Sequence, residues 1–159
     1  MTKRKFLVSV IGGHNANLVV EELAHKVGKI IASMGAILIC GGLGGVMEAA
    51  ARGVKEAKGT TIGILPGKDK RDANPYIDIA IPSTIGYARN TIVAASADLI
   101  IALPGSHGTR CEISYGFVYN RPIIDLGGWN IDGMIKVESP DDIGKHIKKL
   151  MKKVKKVSN

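Results

Sequence analysis

The chain has 159 residues, 45% apolar and 23% charged, the make-up of an ordinary globular protein long enough for a sizeable core. Aromatics reach only 4%, which leaves little from which to build a base-stacking surface for single-stranded nucleic acid. The net charge of +8 is local: Lys145–Lys156 holds seven lysines and no acid, and removing those seven from 22 basic residues leaves 15 against 14 acidic ones. A lysine-rich terminal helix is expected to be a solvated face, so nucleic-acid binding is not expected, and RNA contact through this tail is the remote alternative.

Lys5–Ile11 is a short β-rich run closing on Gly12-Gly13, and it predicts a buried first strand. Its basic start followed by apolar residues imitates a secretory signal, but the run is short, lacks a small-residue cleavage pattern and ends in the glycine pair of a strand-to-helix turn. No apolar stretch approaches the ~18 residues of a membrane span, so a cytoplasmic protein with no membrane partner is expected. Asn15 or Asn17 can cap Leu18–Met34, where Leu23, Val27, Ile30 and Ile31 recur at helical spacing until Gly35. Ala36–Cys40 is a second strand, followed at once by Gly41-Gly42-Leu43-Gly44-Gly45. Val46–Ala57 is a helix whose Ala49, Ala50, Ala51 and Gly53 form a small-residue face directed at the sheet.

Thr60–Leu65 is strand three, stopped by Pro66-Gly67, and Lys68–Pro75 reads as a surface loop free to move. Then come strand four (Ile77–Ile81), a helix over Gly86–Ser96, strand five (Asp98–Leu103), a helix over Gly108–Tyr119, strand six (Pro122–Leu126) and a short last strand in Met134–Val137. Ser139 with Asp142 caps a final helix over Pro140–Val154.

Strands that alternate with helices and are apolar almost throughout imply a doubly wound, Rossmann-like α/β fold, its mostly parallel sheet covered by helices on both faces. One domain spanning 1–159 is expected, with 145–159 as a basic helical end. Ligands of such sheets bind beyond the carboxyl ends of the strands, where the strand order reverses. Gly12 and Gly13, then Gly42, Gly44 and Gly45, then Gly105 and Gly108 fall at those ends, and predict three glycine turns converging on one crevice. None is a dinucleotide fingerprint or a Walker motif, and close helix-on-strand packing explains a lone glycine turn equally well.

The most informative stretch is Leu103–Glu112, LPGSHGTRCE, where an apolar strand meets a turn that opens a helix. Backbone N–H groups around Gly105, Ser106, His107, Gly108 and Thr109 would point at one spot at the positive end of a helix, a ready anion site.

In combination, CGGLGGVMEAAARG at Cys40–Gly53, IGILPG at Ile62–Gly67 and the series ARN, AD, LPGSHGT and E from Ala88 to Glu112 resemble the Lonely Guy-type phosphoribohydrolases and their relatives, the molybdenum-cofactor carrier proteins. The likeness runs from Phe6 to about Trp129, and GVMEAAARG, ANPY and GYARN are more similar to the carrier branch. It implies that the Gly-Thr turn holds the phosphate of a nucleotide or pterin ligand such as AMP or molybdopterin, with no further cofactor required. It also implies that Arg89 and Glu112 match the catalytic pair of the hydrolases, and that the chain forms a homodimer or higher homo-oligomer. A carboxylate can stabilise an oxocarbenium-like state and direct water at an anomeric carbon, and a guanidinium can grip phosphate with two parallel hydrogen bonds. The chain departs from the hydrolase pattern at Ser106 (Gly there), Asn90 (Lys there) and Cys111 (an acid there), which favours binding over turnover.

Both members of the pair have plainer alternatives. Arg89 could be an exposed surface arginine, and Thr109-Arg110-Cys111-Glu112 has the form of a capping box in which Thr109 bonds forward and Glu112 reaches back. Cys40 and Cys111 form no CxxC pattern, and Cys111 reads as a small packed thiol. His14 and His107 each follow a strand end without metal-ligand spacing, so no metal is expected; Met47 and Trp129 read as packing residues.

Overall fold

The computed structural model describes residues 4–157, with side chains to Val154; the basic helical end expected at 145–159 therefore lies partly outside the described residues. Among the described residues seven strands form one sheet: β1 (Leu7–Ile11), β2 (Ile37–Cys40), β3 (Thr61–Leu65), β4 (Ile79–Pro82), β5 (Leu99–Ala102), β6 (Ile123–Asp125) and β7 (Ile135–Lys136). Every neighbouring pair is parallel, in the order β4-β3-β2-β1-β5-β6-β7. The chain builds outward from β1 to β4, then crosses back to lay β5 on the other side of β1, with Val10 opposite Ile101. The order reverses between β1 and β5, so the turns that follow them, Gly12-Gly13 and Pro104-Gly105, flank the crevice.

Helices α1 (Leu18–Ser33), α2 (Val46–Glu56) and α5 (Ile143–Val157) cover one face, and α3 (Asn90–Ser96) and α4 (His107–Val118) cover the other. Successive strand residues alternate between the faces. Val8, Val10, Leu38, Leu99 and Ile101 pack with Ala24, Val27, Ile31, Ala50 and Ile147. Ile11, Ile39, Ile64, Ile100 and Ile123 pack with Val93, Ala94 and Ile113. Each large aliphatic side chain buried in this way contributes about 1.5–3 kcal/mol relative to exposure. Asn17 caps α1 by accepting from the Val20 N–H at 3.0 Å.

Several sequence expectations change in detail. The small face of α2 is used chiefly against α1: a Cβ on Gly53 would fall on the His25 carbonyl, and one on Gly28 would fall on the Ala50 carbonyl, so the two helix backbones touch. Strand four begins two residues late, because the Asp78 carboxylate accepts from the Thr61 N–H (2.9 Å) at the sheet edge. Its Ile79 and Ile81 are exposed, and Pro82 is tolerated there because an edge strand has a side that needs no ladder N–H. Gly86–Arg89 is a 3₁₀ turn that leads into α3, and Ser139 caps a second such turn, Pro140–Asp142, which leads into α5. No helix among the described residues is long and apolar enough to cross a membrane.

Candidate functional site

Three turns meet at Gly13. Its N–H donates to the Pro104 carbonyl (2.9 Å), and its carbonyl accepts from the Val46 N–H (3.0 Å), which ties the turn after β1 to those after β5 and β2. Gly45 makes this possible. It holds φ at +64°, and a Cβ there would fall on the carbonyl oxygens of His14 and Gly13. Gly12 abuts the Val46 side chain, Gly42 lies on Leu65 and the Gly63 backbone, and Gly44 faces the His14 ring.

The turn after β5 holds the donors. Helix α4 starts at His107 with Ser106 as N-cap, and that cap makes no side-chain hydrogen bond. The first helical bond runs from Arg110 N–H to the Ser106 carbonyl (3.1 Å), and the N–H groups of Ser106, His107, Gly108 and Thr109 find no acceptor among the described residues. The first turn contains no acid. Thr109 is 3% exposed, and its Oγ1 occupies the space that a Cβ on Gly105 would fill; that hydroxyl also has no hydrogen-bond partner among the described residues. The first N–H groups of any helix lack an intrahelical acceptor. Here they open at an exposed to half-buried turn beside the Thr109 hydroxyl, with no side-chain cap on them, so the helix end is free to take an anion.

Arg89 and Glu112 flank this turn from below. Arg89 is 6% exposed, which rules out the surface-arginine alternative. Its Nε donates to the Ile64 carbonyl (2.8 Å), its Nη1 to Asn90 Oδ1 and its Nη2 to the Gly41 carbonyl (3.4 Å). Asn90 passes the connection on, with Nδ2 reaching the Gly108 carbonyl at 3.5 Å. The guanidinium thus fastens the ends of β2 and β3 to the start of α3 and, through Asn90, to the α4 turn.

The capping-box alternative for Glu112 also falls. Because the helix begins at His107, Thr109 is already inside it, and Glu112 is one turn too deep to reach back. Glu112 is 7% exposed, and its carboxyl has no hydrogen-bond partner among the described residues. Burial pushes its carboxyl up to about 8, only partly offset by attraction to Arg89. Burial lowers Arg89 in turn, with Glu112 acting the other way, and no ion pair within 4.0 Å joins the two.

Cys40, on the floor of the crevice, is fully buried, and burial pushes its thiol to about 11. Cys111 is exposed, contrary to the packed thiol expected, because Thr109, Glu112, Ile113 and Gly116 take the inward face of α4. His14 and His107 are both exposed, and no group of three or more His, Cys, Asp or Glu among the described residues could hold a metal ion.

Sequence reasoning missed two supports of the site. Asn74 is buried, its N–H donating to the Gly42 carbonyl (2.9 Å) and its Nδ2 to the Leu43 carbonyl (2.8 Å), so the loop expected to be free is fixed to the second glycine turn at this end. The Asn74-Pro75 pair was the available signal. Asp125, at the end of β6, accepts from the N–H groups of Gly127 (3.0 Å), Trp129 (3.1 Å) and Asn130 (2.9 Å). It thereby sets the indole of Trp129 against the strand that feeds the Gly105–Thr109 turn.

The family model described as the SLOG cluster4 family matches residues 5–157. A protein of Archaeoglobus fulgidus, described only as uncharacterized, is 38% identical over 136 residues, 85% of this chain and 89% of its own length. Among solved structures, the molybdenum cofactor binding protein of Rippkaea orientalis is similar with a TM-score of 0.86 and 33% identity, over 94% of this chain and 99% of that one. The molybdenum cofactor carrier protein of Chlamydomonas reinhardtii is similar with a TM-score of 0.84 and 30% identity, over 93% and 99%.

Proposed function

The chain belongs to the SLOG cluster4 family, on the molybdenum-cofactor-carrier side of the Lonely Guy-like superfamily, and from that premise we propose that its crevice holds a phosphorylated pterin- or nucleotide-like ligand without turning it over. One observation carries the reading: the open N–H groups of Ser106–Thr109 and the unpartnered Thr109 hydroxyl lie together at a helix N-terminus whose first turn holds no acid. A phosphate there would satisfy all of them at once, so a molybdopterin-type or AMP-like ligand fits at its phosphate end. Gly13 and Gly105 keep the floor low enough for backbone approach, and Arg89, with its donors turned to protein carbonyls and Asn90, holds the frame. Titrating ¹⁵N-labelled protein with inorganic phosphate and with AMP should shift the amides of Gly105–Thr109 saturably. If neither probe moves them, the phosphate site does not exist.

A second reading, hydrolysis of a nucleoside 5′-monophosphate to base and ribose 5-phosphate, is favoured by Glu112. A buried carboxyl with no hydrogen-bond partner, held near 8 beside a crevice, is what acid–base chemistry calls for. In that reaction the base–ribose C–N bond breaks as water adds to the anomeric carbon; one water proton stays on the new anomeric hydroxyl and the other passes by way of Glu112 to the departing base. Incubation with AMP and measurement of released adenine distinguishes the two, with Glu112→Gln as the control; release no faster than from that variant excludes hydrolysis.

Self-association is proposed from one surface. Tyr87 (88% exposed), Val118 (68%), Ile85, Tyr115 and Tyr119 stand on or beside α3 and α4, with Tyr115 and Tyr119 stacked at 6.3 Å. So many exposed large apolar side chains on one side of a small protein fit a homodimer interface. Val118→Asp should convert dimer to monomer by sedimentation velocity, and a wild-type protein that is already monomeric refutes the proposal.

A further inference from the structure

We infer that Arg110, laid over Trp129, is the outer anion contact of the Gly105–Thr109 turn, closing on a bound phosphate from the side opposite the backbone donors. The inference rests on the phosphate-site reading above and adds a residue to it. The Arg110 guanidinium carbon lies 5.7 Å from the centroid of the Trp129 ring. That ring is itself fixed, since Nε1 donates to the Leu103 carbonyl (3.1 Å) and the Trp129 N–H to buried Asp125 (3.1 Å). Leu103 directly precedes Pro104-Gly105, so the indole and the cation over it stand beside the turn. Helical side chains lean toward the N-terminus, which directs Arg110 from the first turn of α4 back over Ser106 and His107.

The electrostatics agree. A guanidinium in the first turn sits at the wrong end of the helix dipole for stability. Among the described residues no carboxylate or carbonyl accepts from it, and the first turn offers no acid. The ring contact takes up none of the guanidinium N–H groups, which stay available to pair with phosphate oxygens in parallel. An arginine held in one pose by a fixed ring loses little freedom on binding, so the indole acts through the cation rather than on the ligand.

The test uses the full chain and inorganic phosphate, with AMP as second probe, followed at the Gly105 and Gly108 amides. Arg110→Gln should weaken binding about tenfold, and Trp129→Leu about threefold, with no further loss when combined with Arg110→Gln. Trp129→Phe, which keeps a ring beneath the guanidinium, should retain most of the affinity. Lys153→Gln removes the same charge from distant α5 and should change nothing. Because the Arg110 side chain is exposed and makes no hydrogen bond among the described residues, its variants should melt like the wild type, so any loss reports on binding. Arg110→Gln binding within twofold of Lys153→Gln overturns the inference while leaving the turn as a phosphate site. So does a Trp129→Leu effect that persists in full without Arg110. Amides that do not respond even in the wild type overturn the phosphate site and the inference together.

Discussion

Replacing Glu112 by Gln tests the electrostatics of the crevice independently of any ligand. An unfolded glutamate titrates near its ordinary value of 4.5, whereas burial holds the folded carboxyl near 8. Between those two values the unfolded chain gives up a proton that the folded chain retains. Stability therefore falls as pH rises from about 4.5 to about 8 and is constant beyond. At 1.36 kcal/mol for each pH unit the loss accumulates to about 5 kcal/mol, a large part of the 5–15 kcal/mol that holds a domain folded. Glutamine has the same shape, does not ionise, and breaks no hydrogen bond, since Glu112 makes none among the described residues. Glu112→Gln should match the wild type near pH 4.5 and exceed it by several kcal/mol at pH 8.5. Urea unfolding of both proteins at pH 5, 6, 7 and 8 gives the difference directly, and all other titrating groups cancel in it. A difference that stays flat across this range refutes the claim that Glu112 is held protonated.

Gly45→Ala forces a Cβ onto two backbone carbonyls at a φ of +64°, and should cost about 3 kcal/mol or more, read as a large fall in the urea midpoint. Asn17→Ala removes the cap on Val20 N–H and should cost about 1 kcal/mol by the same assay, with no change in phosphate affinity. If AMP is cleaved with Glu112 as the base, the rate should rise about tenfold per pH unit up to about 8 and then level off. A rate independent of pH between 6 and 8 rules out that role.

The architecture was legible because it follows from periodicity and punctuation. Apolar strands ended by glycine pairs, such as Val8–Ile11 before Gly12-Gly13, place the turns at the carboxyl edge whatever the contacts turn out to be. The boundaries that moved were decided by long-range contacts. Asp78 reaches across the sheet edge to Thr61 and delays β4, and α2 turns its small residues toward α1 because Gly28 stands opposite Ala50. At the site, the Gly105–Thr109 turn was legible from local chemistry, since a strand, a glycine turn and a helix suffice to aim N–H groups. The burial of Arg89 was not, because it depends on carbonyls of Gly41 and Ile64 that lie far away in sequence. Thr109-Arg110-Cys111-Glu112 misled for the opposite reason: the pattern fits a helix start, but Ser106 already occupies the N-cap.

The glycines that bring the elements together fall into two kinds, and the distinction governs how the chain can be altered. A Cβ on Gly12 would press on the side chain of Val46 at 2.7 Å, and a smaller residue at 46 could make room for it. A Cβ on Gly28, Gly45 or Gly53 would meet carbonyl oxygens of the main chain, which no neighbouring substitution can shrink. In a library randomised at these positions and selected for folding, position 12 should diversify in company with position 46. Positions 28, 45 and 53 should return as glycine in every background, so any redesign of the crevice has to be built on those three and begin elsewhere.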